Sequence, residues 1–454
     1  MRIGCGAGFS SDRLQPAIDL ATEGALDAII FECVGERTLA FGHRDRLADP
    51  QRGYNPQLGA RLRGVLPATH TNRTTIITNM GVANVPAAAE VARGVARDLG
   101  LNGLTIAAVT GDDVSDTITP DTVLYDFGGR TIADVGLPLV GANVYLGADA
   151  ILPALDEEAH VVITGRVADP ALVLAPLRHR YGWAGDDWDH LARGTVAGHL
   201  LECGMQITGG YFADPGYKDV PDLAHCGFPL AEVGPDGTTT ITKLERAGGR
   251  VDLRTVKEQL LYEVHDPTAY LTPDVTADFS TVTLTDNGPD RVRVAAAQGR
   301  VRPDQLKVTV GFDGGHLGEA GISYAGPNAV ARAALARAIL QERVQVDTGR
   351  LRIDLIGVDA LHASASAAAG RDLTELAQPD DEANAAVRDV RVRCALRSTD
   401  RDEVGAMLWE VESLLCCGPA GGGGYRGQIT PCVVTHSALI DRDAVRPEVA
   451  LHRS

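Results

Sequence analysis

The sequence predicts an α/β protein: an N-terminal parallel-sheet domain with a β-rich insertion, followed by a smaller C-terminal α/β domain. Three observations carry this. Over the first 180 residues, short apolar runs alternate with segments of helical periodicity, the pattern of a parallel sheet wrapped by helices. Between about 200 and 325 the apolar period falls to two, as in antiparallel strands. Beyond 345 a second, shorter strand–helix alternation begins.

The elements follow in order. Residues 2–5 read as a strand, and Ser10-Ser11-Asp12 as the cap of a helix running to Glu23. The second strand, 26–33, ends on Glu32 and Cys33 and leads through helical material to the turn Gly53-Tyr54-Asn55-Pro56. "TTIIT" (74–78) is the third strand, and 86–99 a helix closed by Gly100. Residues 104–109 form the fourth strand, 148–157 a helix and "HVVIT" (160–164) the fifth strand. In the β-rich part, about 200–325, "TTTITKLE" (238–245), 280–299 and 305–314 alternate, with Asp-Asn-Gly and Phe-Asp-Gly-Gly as hairpin turns. A helix covers 329–344 and closes the first domain, 1–345. The second, 346–454, opens with "GRLRIDLIGVD". It continues through an Ala-rich loop or short helix (363–369), a strand (388–397), a helix (400–415) and the loop "CCGPAGGGGYRG".

Composition narrows the function. With 44% hydrophobic and 22% charged residues the 454-residue chain reads as soluble and globular, and it is too long for one core. A net charge of −18 argues against nucleic acid and anionic membrane surfaces. No apolar window is long enough to span a bilayer. The N-terminus runs straight into a strand-like segment without signal-peptide character. The eight cysteines include no Cys-x-x-Cys pair and no zinc spacing, so reduced thiols and a cytoplasmic location are expected.

Ligands of open parallel sheets bind beyond the carboxyl ends of the strands. Here those ends carry "GCGAGFSSD" (4–12), Glu32 with Cys33, Glu36 and Arg37, "TNMGVAN" (78–84), "TGDD" (110–113) and "TGRVADP" (164–170). Each turn alone is ordinary turn chemistry; together they place acids, amides and arginines at one sheet edge. Glu32, at the tip of an apolar strand, is the expected general base, its pKa raised by burial. Arg166 and Arg37 are expected anion anchors, with a Glu36 ion pair the other reading for Arg37. Asn79 and Asn84 are expected to contact an oxyanion or hydroxyl. Gly6 and Gly8 form a backbone nest, and Asp112 and Asp113 a second acid/base group or a hard-cation site. In "GHLLECGMQITGGYFADPGYKDVP" (198–221), His199, Glu202 and Cys203 share a helix face; an acid/base pair, half a metal site and a surface salt bridge beside a buried cysteine are all compatible. Thr208 and Gly209 offer another nest. The run 257–279, with Glu258, Glu263, His265 and Tyr270, reads as an ordered irregular segment.

The chain has no Gly-x-Ser-x-Gly elbow and no Walker loop; the glycines at 4, 6 and 8 lack dinucleotide spacing, and "GPAGGGGYRG" (418–427) lacks the Lys and Ser/Thr of a P-loop. These stretches, with "FEC.GERTLA" (31–40), "GYNPQL" (53–58), "GANVYLGA" (141–148) and "EQLLYEVHDPTAYLTPDVTADF" (258–279), resemble the acyclic terpene utilisation family over residues 1 to about 445. Only 418–426 departs, being richer in glycine. The resemblance implies bacterial acyl-CoA or branched carboxylic acid metabolism and supplies no catalytic residues. The expected function is proton-transfer chemistry on a small carboxylate or acyl thioester, a hydro-lyase or C–C lyase in a homo-oligomer. No cofactor is expected beyond a divalent metal as an option. The alternatives are a cysteine hydrolase or acyltransferase, with Cys33 or Cys203 as nucleophile and His199 as base, and a non-catalytic partner subunit of an acyl-CoA enzyme.

Overall fold

The computed structural model describes residues 1–347, 349–360 and 387–454; the Ala-rich stretch 363–369 lies outside them. Six strands come first: β1 (Arg2–Ala7), β2 (Ala28–Phe31), β3 (Thr75–Thr78), β4 (Thr105–Thr110), β5 (Leu139–Val144) and β6 (Val161–Thr164). All but β5 are parallel neighbours, in the order β1-β2-β3-β6-β4. Ile29, Phe31, Ile76 and Ile163 share a core with the helices Gln15–Glu23, Leu58–Asn72 and Val85–Asp98. The alternate residues Ile30, Ile77 and Val162 are equally buried. Burial on both faces is why these strands read as unbroken apolar runs.

The chain divides into two compact units, Met1–Phe312 with Thr435–Ser454, and Asp313–Val434. The expected boundary at 345/346 thus moves to 312/313, and the last segment returns to the first unit. The reason lies in pairing: Glu448–Arg453 runs antiparallel along β4. On its other side the sheet extends past β1 through β7 (Pro229–Val233), β8 (Thr239–Lys243), Val292–Ala295 and Thr283–Asp286, all antiparallel, making ten strands. Much of the expected β-rich insertion is therefore a continuation of the parallel sheet. The Asp-Asn-Gly turn joins Thr283–Asp286 to Val292–Ala295 as expected. Phe-Asp-Gly-Gly is not a hairpin. One strand, Gln305–Ala325, runs through it and changes partner, its first part pairing with β5 and the part from His316 with Asp389–Ser398.

In the second unit the order is strand, helix, strand, strand, helix, strand: His316–Ala325, Ala329–Arg343, Leu351–Ile356, Asp389–Ser398, Arg401–Cys417 and the start of Gly423–Asp441. Numbered in that order, the four strands lie 4-1-3-2 across the sheet, the arrangement of a ferredoxin-like split βαβ unit. Its core joins Ile322, Tyr324, Leu340, Val392, Met407 and Leu414. The glycine-rich loop leads into its last strand, and Arg426 donates to the neighbouring Tyr425 carbonyl.

Candidate functional site

The carboxyl ends of β1, β2 and β6 open onto a cleft of about 800 Å³ lined by Gly8, Glu32, Cys33, Arg166, Asp169, Glu202 and Cys203, among others. A second arm of about 690 Å³ shares Glu36, Tyr145, Asp169, Glu202 and Glu263 with it and is walled by Tyr270, Pro273 and Leu306.

Glu32 directly follows β2, as the strand ending requires. Its Oε1 accepts from Asn79 Nδ2 and from Val34 N, both at 2.9 Å. Asn79 in turn accepts from Cys33 N at 2.8 Å. The buried Asn79 is therefore a clamp behind the carboxylate rather than a cleft contact. Burial pushes Glu32 up to about 8 and the Asp169 charge adds to it, against the opposing pull of Arg166 and Asn79.

Arg166 follows β6 and is fully buried. Its Nε donates to Val167 O at 2.8 Å, its Nη1 to Val34 O, and its Nη2 to Val167 O and Asp169. Burial works against its charge, but Asp169, Tyr145 and Glu32 outweigh it and hold the guanidinium firmly protonated. Two cations lie over the Tyr145 ring, Arg166 at 4.3 Å and Lys307 at 4.9 Å from its centroid. The Tyr145 hydroxyl and Lys307 Nζ both donate to Glu36, at 2.7 and 2.9 Å. Although burial disfavours its charge, Lys307 and Tyr145 hold Glu36 down to about 2.

Asp112 sits one layer behind. Its Oδ2 accepts from Arg166 N at 2.7 Å and Asn143 Nδ2 at 2.8 Å, and Asn143 bonds His43. Asp113 turns away to Arg46, at 3.2 Å, and to Ser115. The two carboxylates do not converge on a cation, and among the described residues no cluster of three or more His, Cys, Asp or Glu side chains is arranged to hold a metal.

His199 and Glu202 lie at the end of the helix Trp188–Glu202. His199 Nε2 faces Gln259 O at 3.0 Å, and a carbonyl only accepts, so Nε2 carries the hydrogen. Burial lowers His199 to about 4, so the ring is neutral and Nδ1 offers a lone pair to Glu202 Oε1 at 2.9 Å. Glu202 must then supply the proton. This agrees with its own pKa, raised well above the usual range by burial and by the charges of Asp169 and Glu263. The other oxygen, Oε2, is buried with no hydrogen-bond partner among the described residues. Burial also pushes the Cys33 and Cys203 thiols far up. His199 has both nitrogens engaged elsewhere, so the geometry gives a cysteine nucleophile neither thiolate nor base.

Other expected contacts are engaged within the protein itself or lie outside the cleft. Arg37 is exposed and stacks over Phe41 at 5.5 Å instead of pairing with Glu36. Asn84 caps the helix Val85–Asp98 and donates to Pro50 O and Arg52 O. A Cβ at Gly6 would lie 2.5 Å from the Phe31 ring, and one at Gly8 2.3 Å from Glu202 O, so both glycines serve close packing. The Gly8 N–H is already taken by Asp12, at 2.8 Å. Asp12 therefore faces back to the strand end, and the following helix starts at Gln15 without a side-chain cap. Thr208 is buried and donates to Gly227 O at 2.6 Å, and a Cβ on Gly209 would meet Val220.

Sequence reasoning placed Glu36 at the sheet edge only as a partner for Arg37, and left Asp169, Tyr145 and Lys307 without a role in the site. Asp169 had a signal, three residues after Arg166 in "TGRVADP". Lys307 had none, because it arrives from the strand Gln305–Ala325 that pairs with β5.

A family model, the acyclic terpene utilisation family protein AtuA, matches residues 1–451. The chain belongs to this family. Comparison with curated proteins and with solved structures found no match. No helix among the described residues is long and apolar enough to cross a membrane. Family membership names no reaction, so a chemical reading of this AtuA-family cleft rests on its own residues.

Proposed function

We propose that this protein is an enzyme that removes a proton next to the carbonyl of a small carboxylic acid or acyl thioester, as the first step of adding or removing water or of carbon–carbon cleavage. Glu32 is the base. The observation that carries the reading is its position: a carboxyl at a parallel-strand tip, facing the cleft, clamped by Asn79 and Val34 N, with burial raising it to about 8. A base with a pKa near working pH combines a usable ionised fraction with strong proton affinity. Arg166 supports the second requirement. Four of its five N–H groups are engaged, which leaves one on Nη1 for the oxyanion that develops as the proton leaves. Because Asp169 already neutralises Arg166 and Arg37 lies outside the cleft, an uncharged thioester carbonyl suits the site better than a free carboxylate. The acidic lining supports the same preference.

The test is exchange of the protons α to the carbonyl in D2O, followed by NMR over a panel of short acyl thioesters and the matching acids. The reading expects wild-type exchange on thioesters and a loss of about 10²–10⁴ in rate for Glu32→Gln. Exchange that survives Glu32→Gln, or none on any member of the panel, defeats it.

A further inference from the structure

The second arm differs in chemistry from the cleft it joins. Tyr125, Tyr270, Leu271, Pro273, Leu306 and Leu439 build much of its wall. Three of them are left facing water: Tyr125 is 51% exposed, Leu271 66% and Leu439 48%. One exposed leucine means little. These three arrive from separate parts of the chain, on the helical turn Tyr125–Phe127, the strand Tyr270–Leu271 and the first-unit end of the strand Gly423–Asp441, and converge on one concavity. No single amphipathic element accounts for that convergence.

The arm is also preformed. Arg442 Nη2 donates to Pro273 O and to Pro303 O, both at 2.8 Å, and so ties together two segments that wall it. A fixed concavity of about 690 Å³ with a largely apolar wall suits a hydrocarbon group. Its inner end is the wall shared with the cleft, and the carboxyl groups there are answered within the protein. Lys307 matches Glu36, Arg166 matches Asp169, and Glu202 gives its proton to His199, which leaves the exposed Glu263 at the rim. Glu32 stands in the cleft. A substrate with its α-carbon at Glu32 and its carrier leaving by the cleft mouth therefore sends the rest of its acyl chain across this wall.

We propose that the second arm binds the hydrocarbon tail of the acyl group, which narrows the substrate class to acyl thioesters whose chain continues several carbons beyond the β-carbon. The inference rests on the Glu32 reading, which places the α-carbon, and deepens it by giving the arm an occupant. Leu271 and Leu439 set the preference for long chains, because each offers exposed apolar surface that the tail covers. Burying one methylene tightens binding about fourfold, so affinity climbs with chain length until the arm is filled.

The probes are the acetyl, butyryl, hexanoyl and octanoyl thioesters of N-acetylcysteamine, titrated by calorimetry into the full chain carrying Glu32→Gln, so that binding is read apart from proton transfer. Affinity is expected to rise about fourfold per added methylene from butyryl to octanoyl. Adding Leu271→Gln or Leu439→Gln, both at exposed positions that accept a polar side chain, should lower the octanoyl-to-butyryl ratio by about threefold or more. Adding Leu47→Gln, equally exposed on the helix Glu36–Ala48, should leave the ratio unchanged. Equal affinity along the series, a ratio untouched by both arm variants, or a ratio lost in Leu47→Gln overturns the proposal. A flat series together with a dimer that Leu271→Gln dissociates overturns it in favour of a second copy of the chain. The D2O assay on the wild type reports separately: exchange with a flat series removes the tail site and keeps the base, whereas a steep series without exchange removes the base and keeps the arm as a hydrocarbon site.

Discussion

Replacing Glu32 with Gln is predicted to make the first unit more stable, and increasingly so as pH rises. The folded protein holds the Glu32 proton to about 8, against an ordinary 4.5. Between those values the native state binds more protons than the unfolded chain, so the stability Glu32 contributes falls as pH rises. At about 1.4 kcal/mol per pH unit, the shift sets a ceiling of about 5 kcal/mol by pH 8. Gln carries no charge to desolvate, and its amide oxygen still accepts from Asn79 and Val34 N, the two bonds made by Oε1. The variant should therefore match wild type near pH 4.5 and gain on it by several kcal/mol near pH 8. The assay is urea unfolding across that range by tryptophan fluorescence in a Trp409→Phe background. Of the three tryptophans, only Trp183 and Trp188 then remain, both in the first unit. A stability difference that stays flat with pH, or falls, would refute the reasoning.

Three further outcomes are expected. Gly8→Ala should cost at least about 1–3 kcal/mol, because its Cβ meets backbone atoms of Glu202 and Cys203, whereas Gly94→Ala, on a helix with nothing within 4 Å, should not destabilise in the same melts. Asp112→Ala leaves Arg166 N–H and Asn143 Nδ2 without their acceptor, at about 1–3 kcal/mol each, while the exposed Asp113→Ala should cost less than about 1 kcal/mol. A thiol reagent at neutral pH should label the exposed Cys416 and Cys417 well before the buried Cys33 and the partly buried Cys203; faster labelling of either inner thiol, read by mass spectrometry, would restore the cysteine nucleophile.

The parallel strands were legible because their partners cover both faces, which leaves apolar runs such as Ala28–Phe31 with turns on either side. Glu32 and Arg166 were legible for the same reason, each following such a run. What sequence could not carry was long-range pairing. β5 holds Asn143 at its end and Tyr145 just beyond, yet its partner is the distant strand Gln305–Ala325, and "GANVYLGA" gives no sign of it. Glu448–Arg453 joins β4 from the far end of the chain, so the boundary drawn at 345/346 missed its return. Polar side chains at turns were misread when the backbone claimed them first. Asp12 answers Gly8 instead of capping a helix, and Asn84 caps one instead of meeting a ligand.

The central claim is that Glu32 keeps its proton to about pH 8 while facing the cleft. Difference infrared spectroscopy of 13C-glutamate-labelled protein, wild type minus Glu32→Gln, reads that proton through the carboxylic C=O stretch as pH is raised. The account predicts that the band persists through neutrality and disappears around pH 8. A carboxylate signal already complete at an ordinary glutamate pKa would contradict it.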